Sequence, residues 1–180
     1  MAVVRATLVL ACLCLNTVVL GLPAAILGTL ALLLRLQRAA WPLLDGFYRA
    51  WVAINTLALR HLLPTPWHIE GDLNALKSDQ DYLIVANHQS WADILIIQGA
   101  LTGKVPHIYF VLKASLQWIP IAGIMCRVLG YPLIQRPSRA QLRKHPHLRT
   151  QGRNSIQQAC CNFDHRPASL LLFLEGTRYH

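Results

Sequence analysis

The chain has 180 residues, 54% of them hydrophobic and only 14% charged, against a usual charged share of about 25%. This composition excludes a disordered chain and fits an ordinary soluble globule poorly, with a mean hydropathy of +0.36. The net charge of +9 is uneven: residues 1–103 balance acids and bases, and residues 104–180 carry the whole surplus, which suits anionic partners such as phosphorylated small molecules or anionic lipid.

Ala6 to Leu34 contains no charged residue; Arg5 precedes the run, and Arg35 and Arg38 follow it. About 20 apolar residues suffice to cross a bilayer core as a helix. Pro23, Gly21 and Gly28 interrupt the run, so a kinked span and a shallow re-entrant hairpin both fit. A cleaved leader is the competing reading, but the apolar stretch outruns an ordinary leader core. The sequence thus predicts a membrane anchor over 1–40. Residues 41–63, with Trp41, Tyr48, Arg49, Trp51 and Arg60, predict a second helix, either interfacial or packed on the following domain. Arg is heavier after the apolar run than before it, which places the remainder of the chain in the cytoplasm.

Pro64-Thr65-Pro66 opens an α/β domain over 64–180. Strands are expected at Trp67–Glu70, Tyr82–Ala86, His107–Leu112, Tyr131–Gln135 and Ser169–Leu174, the fourth toward an edge because of Pro132. Helices are expected at Trp91–Leu101, within Leu116–Leu129 and at Gln151–Phe163. Alternating strands and helices predict an α/β fold: a mostly parallel sheet with flanking helices, preceded by the membrane-embedded segment. The five cysteines (12, 14, 126, 160, 161) form no CxxC and no even framework, which predicts a reducing compartment without a zinc site.

The residues after the strands carry the chemistry. Asn87, His88 and Asp93 follow Tyr82–Ala86. Lys113 follows His107–Leu112, and Arg136 follows Tyr131–Gln135. Glu175, Gly176, Thr177 and Arg178 follow the last strand. In open α/β sheets, ligands bind beyond the carboxyl ends of the strands. His88 and Asp93 would lie about 140° apart on one helix. His88 is therefore expected in the strand–helix turn, with Ser90 as N-cap and Asp93 in the first helical turn reaching back to the ring. Such a carboxylate fixes the imidazole tautomer and raises its basicity, as a general base requires; simple capping by both residues is the alternative. There is no G-x-S-x-G and no metal-ligand spacing such as HExxH. The acid-free basic stretch from Arg136 to Arg153 reads as a solvated face suited to an anionic membrane surface or a polyphosphate. No nucleic-acid module is present.

Asn87-His88-Gln89-Ser90-Trp91-Ala92-Asp93 resembles the NHxxxxD box of the glycerolipid acyltransferases, with lysophosphatidic acid (1-acyl-sn-glycerol-3-phosphate) acyltransferases the best match. Phe110-Val111-Leu112-Lys113 through Ile119-Pro120, Gly123 and Gly130 to Arg136 resembles that family's second block. Phe173-Leu174-Glu175-Gly176-Thr177-Arg178 resembles its EGTR block. The wording of 87–94 and the insert at 136–150 resemble a bacterial inner-membrane branch. The resemblance implies acyl transfer from acyl-CoA or acyl carrier protein to a lysophospholipid hydroxyl, with no metal or cofactor. It leaves open another acceptor, such as glycerol 3-phosphate, lysophosphatidylinositol or an ornithine lipid, and a non-catalytic lipid-binding fragment. It assigns His88 as base and Asp93 as its support. Lys113, Arg136 and Arg178 would hold acceptor phosphate, with Glu175, Gly176 and Thr177 beside it. The family continues past the EGTR block into a fourth, Pro-containing one, so the resemblance implies a domain incomplete at its C-terminus.

Overall fold

The computed structural model describes residues 1–135, 143–144, 154, 156–157, 160 and 166–173. The apolar N-terminus is helical nearly throughout. Helix α1 (Ala2–Asn16) passes through a π turn (Thr17–Gly21) into α2 (Leu22–Leu33). Pro23 has no N–H to donate and its ring would collide with the carbonyl one turn back; the widened turn just before it relieves both problems. Val3–Leu33 is the one stretch among the described residues long and apolar enough to cross a membrane, by length and composition. Its end is closed by Arg35 at φ 58°, with the Leu36 amide donating to Ala31 O at 2.8 Å. This places a non-glycine in a left-handed position that glycine usually fills.

The chain then reverses into α3 (Gln37–Leu62), which packs against α1 and α2. Its buried residues Leu44, Tyr48, Val52, Asn55 and Leu59 recur at steps of three and four, the signature of one buried helix face. A polar clasp crosses this hairpin. Asn16 Nδ2 donates to Asn55 Oδ1 at 2.7 Å and to Trp51 O at 2.9 Å, and Trp51 Nε1 donates to Thr17 Oγ1 at 3.1 Å.

Beyond Pro66 comes β1 (Tyr82–Ala86), then α4 (Ala92–Leu101), which packs on α3. Strands β2 (Ile108–Phe110) and β3 (Leu112–Lys113) follow, then α5 (Ala122–Val128), β4 (Leu133–Ile134) and β5 (Ser169–Phe173). The sheet order is β1-β5-β2, all parallel, with Tyr82 opposite Ser169 and Ile108 opposite the same residue. A separate parallel pair joins β3 and β4. The expected α/β class, parallel strands and apolar N-terminal helix are all present.

Two expectations are corrected. Trp67–Glu70 is not a strand. Trp67 instead plugs the gap between α3 and α4, with Arg60 over its ring at 4.7 Å and the ring tip against Gly99. His107–Leu112 is not one strand. The Val111 amide is already 3.5 Å from Leu171 O, and the Leu112 amide turns to Pro132 O at 2.9 Å, so the segment changes sheets. The strand ends therefore divide between two sheets rather than lining one rim. The helix expected within Leu116–Leu129 is present as α5, with a 3₁₀ turn (Ala114–Trp118) and Pro120 before it. The strand at 131–135 shrinks to β4. Most of Gln151–Phe163 lies outside the described residues.

Between α3 and the sheet sits a buried imidazole. His107 Nδ1 lies 2.9 Å from Asp45 Oδ1, and Nε2 lies 3.2 Å from the Tyr131 hydroxyl. Burial pushes its pKa below the ordinary value, more strongly than Asp45 pulls it up. Asp45, Arg49 and Arg166 are the charged groups facing it, and the phenols of Tyr48, Tyr109 and Tyr131 surround the ring. A lowered folded pKa means that the unfolded chain takes up this proton first as pH falls. Stability is full above the unfolded value of about 6.5 and declines below it, by at most about 1.4 kcal/mol per pH unit. The unfolding midpoint in urea should thus fall between pH 7 and 5.5, and His107→Gln should flatten that slope; equal slopes in both proteins would contradict a neutral buried imidazole.

Candidate functional site

The residues between β1 and α4 are short of backbone partners, because a strand has ended and a helix has not yet begun. Asp93 supplies them. Its Oδ2 accepts from the Gln89 amide at 2.6 Å and from the Ser90 amide at 2.7 Å. The same oxygen lies 3.1 Å from His88 Nδ1. Ser90 Oγ accepts from the Ala92 amide at 3.0 Å, so it serves the first turn although the helix proper starts one residue later than the spacing suggested, with Trp91 at the cap. The expected geometry holds: His88 is in the turn, Asp93 is the second residue of α4, and the carboxylate reaches back to the ring.

A carboxylate can only accept, so this hydrogen bond puts the ring proton on Nδ1 and leaves the Nε2 lone pair as the basic position. Burial alone would raise the Asp93 pKa. The Ser90 and Gln89 amides and His88 outweigh it and hold the carboxyl below its usual range. The His88 side chain is 17% exposed and that of Asp93 22%: sheltered, but open to a substrate.

Phe173, the last residue of β5, stacks on the His88 ring at 4.2 Å between centroids and 23° between planes. In the sequence Phe173 reads only as a strand residue with no part in the site. The available signal was that it ends the strand that becomes β1's neighbour, opposite Ala86. Lys113 ends β3 and is exposed, on the two-stranded sheet rather than the one bearing His88. Arg136, Glu175, Gly176, Thr177 and Arg178 lie outside the described residues. No group of three or more metal-ligating side chains occurs among the described residues.

A second feature was invisible in the sequence. An apolar cavity of about 180 Å³ lies between the N-terminal hairpin and the α/β elements. Leu20, Trp51, Ile94, Phe110, Met125 and Leu129 contribute to its wall. Ile94 directly follows Asp93, so α4 carries the carboxylate and part of this cavity on consecutive residues.

Residues 68–180 match the family model described as Acyltransferase. The chain belongs to this acyltransferase family. The mouse protein 1-acyl-sn-glycerol-3-phosphate acyltransferase epsilon is 27% identical over 112 residues, which are 61% of this chain and 28% of that protein. The chain therefore spans well under two thirds of the relative's length. No solved structure matches.

The clamp on Asp93 makes a stability statement. Asp93→Ala orphans two amides and should cost about 1–2 kcal/mol, as loss of a helix-start acceptor does. Asp93→Asn keeps an acceptor oxygen and should cost less. Thermal unfolding of the three proteins in one detergent checks this, and equal midpoints would show the clamp to be idle.

Proposed function

We propose that this acyltransferase moves a fatty acyl group from acyl-CoA or acyl carrier protein to the free hydroxyl of a lysophospholipid, 1-acyl-sn-glycerol-3-phosphate first among acceptors. The observation that carries the reading is the His88 ring held by Asp93 with its Nε2 as the basic position. His88 takes the proton of the acceptor hydroxyl. The oxygen attacks the thioester carbonyl, the carbon–sulfur bond breaks as the tetrahedral adduct collapses, and the leaving thiolate takes the proton back from the imidazolium. Asp93, kept anionic by the Ser90 and Gln89 amides, stabilises the imidazolium between these steps. No covalent enzyme intermediate or cofactor is needed. General base catalysis supplies about 10²–10⁴-fold, and the remainder comes from holding two amphiphiles together.

The apolar cavity beside Ile94 supports an acyl chain as ligand, and the exposed apolar face of α1 and α2 supports a membrane as the place of work. On this reading the N-terminal helix anchors the protein with residues 64–180 on the cytoplasmic face, the basic stretch after Arg136 facing anionic lipid. Placement in a bacterial inner membrane rests on the wording of 87–94 and on the 136–150 insert. Lys113, Arg136 and Arg178 hold the acceptor phosphate, and Glu175, Gly176 and Thr177 shape its seat.

His88→Ala should lower turnover by at least about 10², with the circular dichroism spectrum and membrane recovery unchanged. More than a few per cent of residual activity would refute the mechanism, and loss of fold would make His88 a structural turn residue. Arg178→Lys should raise KM for the lysolipid and leave KM for the acyl donor alone. It replaces a planar two-point donor by a point charge, a loss of about 1–3 kcal/mol. The reverse pattern would move Arg178 to the donor site.

A further inference from the structure

Trp118 and Ile119 end the 3₁₀ turn before α5, and they are 78% and 48% exposed. The backbone that presents them is strained. Ile121 sits at φ 61°, ψ −60°, and the Ala122 amide bonds to Pro120 O at 2.6 Å, which closes a γ-turn. A β-branched residue is a poor choice for that conformation, and such strain persists only where the surroundings enforce it. The enforcing contacts are on both sides. Gly123 lies so close to the Gln117 carbonyl that no Cβ would fit. Ile121 itself packs on the apolar N-terminal helix, its Cγ2 2.9 Å from where a Gly21 Cβ would be.

Seven residues later Val128 meets Gly28 in the same way, its Cβ 2.6 Å from the missing side chain. The two helices therefore run side by side for about 10 Å. Where α2 meets lipid, α5 and the turn before it are carried with it. Leu32 of α2, about 40° around the helix from Gly28, is exposed, and so is Ile124 of α5, within about 60° of the stripe that touches α2. Arg127 donates from Nη2 to Gln117 Oε1 at 2.7 Å, holding a cation beside Trp118. An exposed Trp, neighbouring aliphatics and a tethered Arg, locked to an apolar helix, match the chemistry of a headgroup layer.

We propose that Trp118 and Ile119 form a second membrane-inserting element, a rigid wedge that enters the lipid headgroup layer beside the N-terminal helix. The partner is the bilayer surface itself. Lys113 immediately precedes the five-residue turn that ends at Trp118, so the wedge also sets the height of that ammonium over the lipid. This last consequence rests on the acyl-transfer reading; the insertion does not.

The test reconstitutes wild type and Trp118→Phe in vesicles of equal parts phosphatidylcholine and phosphatidylglycerol. The phosphatidylcholine chains are brominated in one set and plain in another. Subtracting the variant's emission from that of wild type isolates Trp118 from the other tryptophans. Insertion predicts that brominated lipid removes most of this difference emission while aqueous iodide removes little. Quenching by iodide and not by brominated lipid would overturn the proposal. Ile119→Trp in the Trp118→Phe background moves the reporter by one residue and must give the same answer. Neither measurement needs turnover, so a failure here is distinct from a failure of the acyl-transfer reading. For the consequence at Lys113, Trp118→Glu should lose turnover on vesicle-borne acceptor and keep it on a short-chain acceptor dissolved as monomer. Equal losses on both would remove the link to Lys113.

Discussion

The buried contact between His107 and Asp45 is the joint on which this fold turns. One partner comes from the start of the sheet, the other from the helix that returns from the apolar N-terminus. Burying an imidazole and a carboxylate is costly unless each is hydrogen-bonded. Here both are: Asp45 also binds Arg49, and the other ring nitrogen reaches Tyr131. The Tyr131 hydroxyl also lies 3.1 Å from the Ile108 carbonyl, and its ring packs against both hydrophobic clusters, one centred on the sheet and one on the hairpin. The hairpin and the α/β elements are thus tied together by a polar contact in the midst of apolar packing. Whatever holds the hairpin also fixes the orientation of the strands.

That arrangement separates two histidines of opposite kind. His107 sits before a strand, sealed and charge-averse. His88 sits after a strand, sheltered on one face by Phe173 and accessible to a substrate. Each lies beside a carboxylate, yet only the second carboxylate is fed by backbone amides from the turn after a strand. The difference is positional. Amides left without partners occur where a strand gives way to a helix, and an acceptor placed there gains both a structural and an electrostatic role.

Much of this was legible in the sequence. The apolar run, the strands at Tyr82–Ala86 and Ser169–Phe173, and the turn that brings His88 to Asp93 all follow from local rules: uninterrupted hydrophobicity, β-branched runs and 100° per residue. The failures share a cause. Trp67–Glu70 alternates well enough for a strand, but Trp67 had a better use between two helices. His107–Leu112 is continuously apolar and gives no hint that Val111 loses its partner. The cavity and the stack on Phe173 gather residues from distant parts of the chain, and no window of sequence contains them.

The π turn at Thr17–Gly21 has a consequence for the lipid-facing surface. A π turn holds one more residue than the helix around it. The segments before and after it are therefore out of phase, like two lengths of screw thread joined with a slip. This lets α1 aim Asn16 at α3 while Gly21, at the end of the π turn, and Gly28 of α2 face Ile121 and Val128. In a helix of unbroken period the angle between these two faces would differ by about 100°. The slip is what allows a single apolar helix to act as a shared wall, with one phase matched to its returning partner and the other matched to the domain beneath.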